Sequence, residues 1–185
     1  MSIKNDIESI LVGEEELEQI TTRLAAEITE DYKDSPRKLL LLSILKGSLT
    51  FTADLMRKIP LPLDIDFMKV SSYGASTISS GQLKIYLDLK RDDLTDVDII
   101  IIEDIVDSGR TLCNLKLYLE ERGAGSVKVC TLLNKPSRRE FELVPDYCGA
   151  EIPDKFVVGY GLDYDELYRN LPYVGVLKPE VYMNS

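Results

Sequence analysis

Four isoleucines stand side by side at residues 99–102, and two acids, Glu103 and Asp104, follow at once. An exposed strand would alternate apolar and polar residues, and a short run apolar at every position suits a strand covered on both faces. Such strands belong to parallel sheets, whose neighbours are joined by helical crossovers. The flanks supply those crossovers. After the strand at 97–102, Asp107-Ser108-Gly109 makes a turn, a helix runs over about 111–122, Gly123 stops it, and 127–133 is the next strand. Upstream, 38–45 reads as a strand, and Ser48 is placed to cap a helix through Leu49, Phe51, Leu55 and Met56 that Pro60 ends; 64–70 is a strand again. Residues 14–31 carry the stripe of an amphipathic helix, and 83–89 is strand-like. The tail from Pro145, with a strand at 156–159 and a Tyr-rich, Gly/Pro-punctuated end, reads as a smaller lobe. The expected class is α/β, an open parallel sheet flanked by helices.

Composition narrows the function. The chain has no histidine, so Ser-His-Asp, Cys-His and His-ligated metal chemistry are excluded. Its formal charge is −10, from 22 Lys plus Arg against 32 Asp plus Glu. That balance opposes non-specific binding to nucleic acid or to an anionic membrane, both of which need a cationic face. Cys113, Cys130 and Cys148 have no zinc spacing and are odd in number, which suits reduced thiols in a cytoplasmic protein. No apolar run reaches the ~20 residues of a membrane span, and the acid-rich first twenty residues do not resemble a signal peptide.

In open parallel sheets, ligands bind beyond the carboxyl ends of the strands. Reading those positions collects Lys46-Gly47-Ser48, Ser71-Ser72-Tyr73-Gly74, the string from Glu103 to Thr111, and Asn134-Lys135. In that string, Asp107, Ser108, Gly109 and Thr111 sit where a helix begins and backbone N–H groups are free to hold a phosphate. Three carboxylates beside a phosphate site are wasteful for phosphate alone, but they accept hydrogen bonds from hydroxyls, hold Mg²⁺ and take protons. The combination points to a phosphorylated sugar. In an ideal strand Glu103 and Asp104 would face opposite ways, so sharing one ligand requires a bend there. Residues 71–82 form a long polar stretch of the kind that serves as a functional loop. Neither a P-loop nor a G-x-G-x-x-G motif is present: Lys46 precedes Gly47, and Gly159-Tyr160-Gly161 lacks the third glycine.

The segment from Ile99 to Leu112 resembles the phosphoribosyl pyrophosphate (PRPP) signature of type I phosphoribosyltransferases, and specifically of the hypoxanthine-guanine (6-oxopurine) branch. Leu45-Lys46-Gly47-Ser48, Ser72-Tyr73-Gly74, Lys135-Pro136 and the stretch from Phe156 to Tyr164 match the other motifs of that family in order. The resemblance covers residues 10–180 or so and implies one phosphoribosyltransferase domain over 1–185. Its core would span about 36–140, with a hood from the N-terminal segment and about 145–185. It implies transfer of 5-phosphoribosyl from PRPP to N9 of hypoxanthine or guanine, giving IMP or GMP and pyrophosphate, with Mg²⁺. Position by position, Asp107 to Thr111 (Ser108, Gly109 and Arg110 included) would hold the 5′-phosphate, and Glu103 and Asp104 the ribose hydroxyls. Asp107 would be the catalytic acid or base near N7. Lys135 would donate to the 6-oxygen, Phe156 would stack on the base, and the Val157 backbone would read its edge. Glu103, Asp104 and Asp163 would support the metal, while Arg169 and Lys46-Gly47 would bind pyrophosphate. Ser72-Tyr73 would form a lid. The family often has Lys and Gly where Arg110 and Ser48 stand in this chain, and its Leu45–Lys46 peptide can be cis. A homodimer or homotetramer in the cytoplasm is implied.

Taken singly, each residue has a blander use. Asp107 serves as a helix cap, Lys135 as a turn cation, Phe156 as core, Asp163 and Arg169 as surface charges, and Arg138-Arg139 as a solvated face. Two other functions stay open from the residues: a PRPP- or nucleotide-sensing protein that binds nucleic acid, and a transferase for adenine or a pyrimidine. The acidic balance opposes the first, and Lys135, with no acceptor for a 6-amino group, opposes adenine. Hypoxanthine, guanine and xanthine share the 6-oxo edge and are not ranked by these residues.

Overall fold

The computed structural model describes residues 3–72 and 83–183. The elements, in chain order, are β1 (Ile7–Val12), α1 (Glu14–Tyr32), β2 (Lys38–Ile44), α2 (Leu49–Met56), β3 (Leu63–Ser72), β4 (Leu83–Leu87), β5 (Val97–Val106), α3 (Arg110–Glu121), β6 (Ser126–Asn134), β7 (Tyr147–Glu151), β8 (Val157–Val158), β9 (Val174–Leu177) and α4 (Pro179–Tyr182). A six-stranded sheet has the order β4-β3-β2-β5-β6-β7, and a three-stranded sheet has the order β1-β9-β8. In the large sheet β2, β3, β5, β6 and β7 run parallel.

The isoleucine run lies at the centre, wholly buried. Ile100 and Ile102 pack with Leu39, Leu41 and Leu132 under α1 and α2, and Ile99 and Ile101 pack with Leu40, Leu42 and Val129 under α3. The strand residues therefore divide by the two-residue period between two cores, and burying each such side chain contributes about 1.5–3 kcal/mol. Leu17, Ile20, Leu24 and Ile28 form the buried stripe of α1, as expected from their spacing.

The structure differs from the sequence expectations in four places. The strand expected at 97–102 runs on to Val106, carrying Glu103 and Asp104 within it. Strand β4 is antiparallel to β3, so it edges the sheet instead of completing another crossover unit. Tyr147–Glu151 pairs in parallel with β6, so the smaller lobe begins after Glu151 and not at 145. Ser48 stands at the N-cap of α2 but makes no cap bond; its hydroxyl donates to Ile44 O at 2.7 Å instead, and the helix ends at Met56. A hydroxyl trapped behind a strand end takes the nearest buried carbonyl, because an unpaired buried donor is costly. The lid expectation falls on Ser72, at the end of β3, and on Tyr73, which lies outside the described residues.

Candidate active site

The end of β5 is the floor of the site. Along this strand Ile100 and Ile102 belong to the α1 side and Ile99 and Ile101 to the α3 side, yet Ile105 packs on the α1 side and Val106 on the α3 side. The alternation therefore breaks between Ile102 and Ile105, at Glu103 and Asp104, while the register with β6 holds. That break lets both acids line one cavity of about 410 Å³, together with Gly47, Thr111, Asp163 and Arg169.

Removal from water dominates the electrostatics of this cavity. Glu103 Oε2 is shielded from solvent and has no hydrogen-bond partner among the described residues. Burial, and then the adjoining Asp104 charge, push the Glu103 carboxyl well above its ordinary range. Burial also raises Asp104, against the pull of the Ile105 N–H, of its own N–H and of Arg169. The Asp104 carboxylate lies on the Gly47 backbone, where a Cβ would collide with it. The Leu45–Lys46 peptide is cis. A buried set of hydroxyls braces this turn: Ser43 and Ser48 lie 2.8 Å apart, and Thr52 donates to Ser48 O at 2.8 Å.

A second cavity, of about 480 Å³, shares Asp104 and Asp163 with the first and extends to Ile105, Asp107, Lys135, Phe156 and Val157. Lys135 is nearly buried, and its Nζ lies 3.9 Å from Asp107 Oδ1 and 3.9 Å from Asp154 Oδ1. Phe156 meets Tyr164 edge-on at 5.6 Å and stacks with Tyr182 at 4.8 Å. Val157 pairs with Val176 of β9, so the hood sheet holds this wall.

After β5 the chain turns into α3 through Gly109, whose φ of +82° is a left-handed conformation that glycine adopts without strain. The segment after β6 supports this turn. Glu140 and Phe141 N–H donate to Ser108 O at 3.1 and 3.0 Å, and Arg139 donates to Asp107 O at 2.8 Å and to Asn134 Oδ1. The hood brings Asp163 and Arg169, joined at 2.8 Å, to the same crevice. Lys46 reaches Glu166 at 2.9 Å, and the hydrogen bonds from Lys46 and Arg169 hold the Glu166 carboxyl below its usual range.

Most of the residues expected from the sequence thus meet around two joined cavities: Lys46, Gly47, Glu103, Asp104, Thr111, Asp163 and Arg169 in one, and Asp107, Lys135, Phe156 and Val157 in the other. The Arg110 guanidinium lies 3.4 Å from Glu140 and over the Phe141 ring, while its backbone stands at the start of α3. Arg138 and Arg139 are not simply a solvated face. Arg138 lines the larger cavity 3.5 Å from Asp154, and Arg139 clamps the turn. Asp154 and Tyr182 also line that cavity and carry no motif that marks them. Among the described residues no three Asp, Glu or Cys side chains converge as a complete metal cage.

The family profile described as a phosphoribosyl transferase domain matches residues 10–165. A hypoxanthine-guanine phosphoribosyltransferase of Bacillus subtilis (strain 168) is 52% identical over 180 residues, covering 97% of this chain and 98% of its own. One from Staphylococcus aureus (strain N315) is 48% identical over 180 residues, covering 97% and 99%. The crystal structure of a hypoxanthine phosphoribosyltransferase from Staphylococcus aureus superposes with a TM-score of 0.91 at 47% identity, over 97% of this chain and 96% of that one. The chain belongs to the phosphoribosyltransferase family, among the hypoxanthine-guanine phosphoribosyltransferases.

Proposed function

We infer that the protein is a purine-salvage enzyme that transfers the 5-phosphoribosyl group of PRPP to N9 of a 6-oxopurine, hypoxanthine or guanine, giving IMP or GMP and pyrophosphate. The observation that carries this reading is the pairing of two cavities across Asp104 and Asp163. One holds a near-buried lysine, an aromatic ring and Asp107, and the other holds acids, a glycine-lined turn and Arg169. A flat base with a carbonyl suits the first, and a sugar with a polyphosphate suits the second.

In this mechanism Phe156 stacks on the base and Lys135 donates to its 6-oxygen, while the Val157 backbone reads its edge. The C1′–O bond to pyrophosphate breaks and N9–C1′ forms, and Asp107 takes the proton that N7 gives up. Positive charge builds on the sugar, and Glu103 and Asp104 stabilise it while holding the ribose hydroxyls. The turn from Asp107 to Thr111 (Ser108, Gly109 and Arg110 included) binds the 5′-phosphate through its backbone N–H groups and the start of α3. Lys46, the Gly47 backbone and Arg169 receive the pyrophosphate.

The acids fit Mg²⁺. Their donors are all carboxylate oxygens, Glu103 Oε2 is buried without a partner among the described residues, and such a cation is bound through one or two carboxylates plus substrate phosphates. Glu103, Asp104 and Asp163 would support it together with the substrate's own phosphate oxygens, and it would supply neutralisation of the charge on the departing oxygens. A cytoplasmic location fits three free cysteines. A homodimer or homotetramer fits the exposed Leu49, Ile65 and Leu87.

The test is an assay of purified protein with PRPP and Mg²⁺, offering hypoxanthine, guanine, xanthine and adenine in turn. Conversion of 6-oxopurines and not adenine is expected. If no 6-oxopurine reacts, the assignment is wrong.

A further inference from the structure

We propose that Glu166 is a built-in counter-anion of the pyrophosphate subsite, which the departing pyrophosphate group must displace and which sets how tightly that group is held. The proposal rests on the proposed function, which gives Lys46 and Arg169 to pyrophosphate. In the free protein both cations are already engaged by one carboxylate oxygen. Glu166 Oε2 lies 2.9 Å from Lys46 Nζ and 3.3 Å from Arg169 Nη2. Lys46 stands on the turn after β2 and Glu166 belongs to the hood, 120 residues further along the chain, so this contact spans the mouth of the crevice.

The placement is built, not incidental. Glu166 has φ +64°, and its neighbours Asp165 and Tyr168 have φ +50° and +73°. These are left-handed conformations that non-glycine residues adopt only when surrounding contacts hold them. Those contacts are present. Glu166 N–H donates to Asp163 Oδ2 at 2.9 Å, Leu167 N–H donates to Tyr164 O at 3.0 Å, and the buried Tyr168 donates through its hydroxyl to Asp6 at 2.9 Å. The turn therefore presents the carboxylate to the two cations without burying it, since 64% of the side chain is exposed.

The consequence follows from charge. Two cations facing an open crevice would attract any small anion. Asp163 also pairs with Arg169, at 2.8 Å, but Glu166 spans both cations, and an exposed carboxylate in that place is a weak competitor, which water and salt further weaken. A monoanion gains little by displacing it, whereas a pyrophosphate group with several oxyanions displaces it readily. Glu166 thus discriminates in favour of polyphosphate and helps the product leave once the bond is broken.

The experiment measures binding of inorganic pyrophosphate with Mg²⁺, and separately of PRPP, to the full-length protein and to Glu166→Gln by calorimetry. Glu27→Gln is the control, because Glu27 pairs with Arg23 on α1 and its loss changes the net charge equally. Pyrophosphate and PRPP should bind Glu166→Gln about three- to tenfold more tightly, from the loss of two exposed pairs. Glu27→Gln should match the parent, and KM for hypoxanthine should not move. Glu166→Ala, scored in the same way, serves if the glutamine variant does not fold. Unchanged or weaker binding in Glu166→Gln, or an equal gain in Glu27→Gln, overturns the proposal. A parent protein that turns over PRPP while Glu166→Gln binds pyrophosphate no better defeats only this inference. A parent that neither binds pyrophosphate nor transfers the sugar defeats the functional reading as well.

Discussion

Glu103 and Asp104 burden the folded chain, because both carboxyls are taken out of water and the pull of Arg169 on Asp104 does not offset that burial. A carboxyl whose folded-state pKa is raised holds its proton more firmly folded than unfolded. Stability therefore falls as pH rises above the unfolded carboxylate range, and the full cost is present above the raised folded value. Glu103→Gln should consequently raise the Tm at about pH 8, by about 2–4 °C for each kcal/mol regained, and the gain should shrink towards about pH 4. Turnover should fall in the same variant, as when a destabilised site is relaxed at the expense of function. Thermal denaturation across pH, beside the transferase assay, checks both parts; a gain independent of pH refutes the buried charge as its cause. Asp107 belongs to a different case. It is exposed, and its use is its place beside Lys135 and the start of α3. Asp107→Asn should lower kcat by about 10²–10⁴-fold, the usual worth of a positioned acid or base, while PRPP binding changes little. Equal losses in both would make Asp107 a structural cap.

At the scale of elements, the site exists because three backbone segments touch. The Asp104 carboxylate sits on Gly47, and the Gly47 carbonyl sits on Gly161, which has φ +107°. A Cβ at Gly161 would strike that carbonyl. Gly161→Ala should therefore cost at least the roughly 1–3 kcal/mol of a strained left-handed residue and lower the Tm by several degrees, with KM for PRPP raised. A Tm equal to the parent's would show that the hood does not press on this turn. The turn into α3 was legible from Asp107-Ser108-Gly109, because small polar residues and a glycine after an apolar strand are local signals. The support behind it was not legible. Arg139 reads as one of two exposed arginines, and only the return of the chain after β6 lays it against the Asp107 carbonyl. The direction of β4 was also hidden. A five-residue strand pairs either way, and its partner is set by the edge of the sheet that remains open.

For the whole molecule, the site lies between a sheet and a hood that share Asp104, Asp163 and Arg169 around one crevice. A ligand bridging them should stabilise both parts together. PRPP with Mg²⁺ at about 100 times its Kd should add about 2.7 kcal/mol, seen as a single cooperative rise in Tm. A rise in only part of the transition would mean that the hood melts on its own. Among the described residues no helix is long and apolar enough to cross a membrane. The amino-acid sequence by itself determined the central strands, their helical crossovers, the acid-rich strand end and the small-residue turn into α3, since periodicity and turn chemistry act over a few residues. Tertiary structure alone decided that Glu103 and Asp104 share a cavity, that Asp154 stands across Lys135 from Asp107, and that Glu166 spans Lys46 and Arg169. Those juxtapositions depend on a broken strand alternation and on chain segments far apart in sequence closing on one another, which no local pattern encodes.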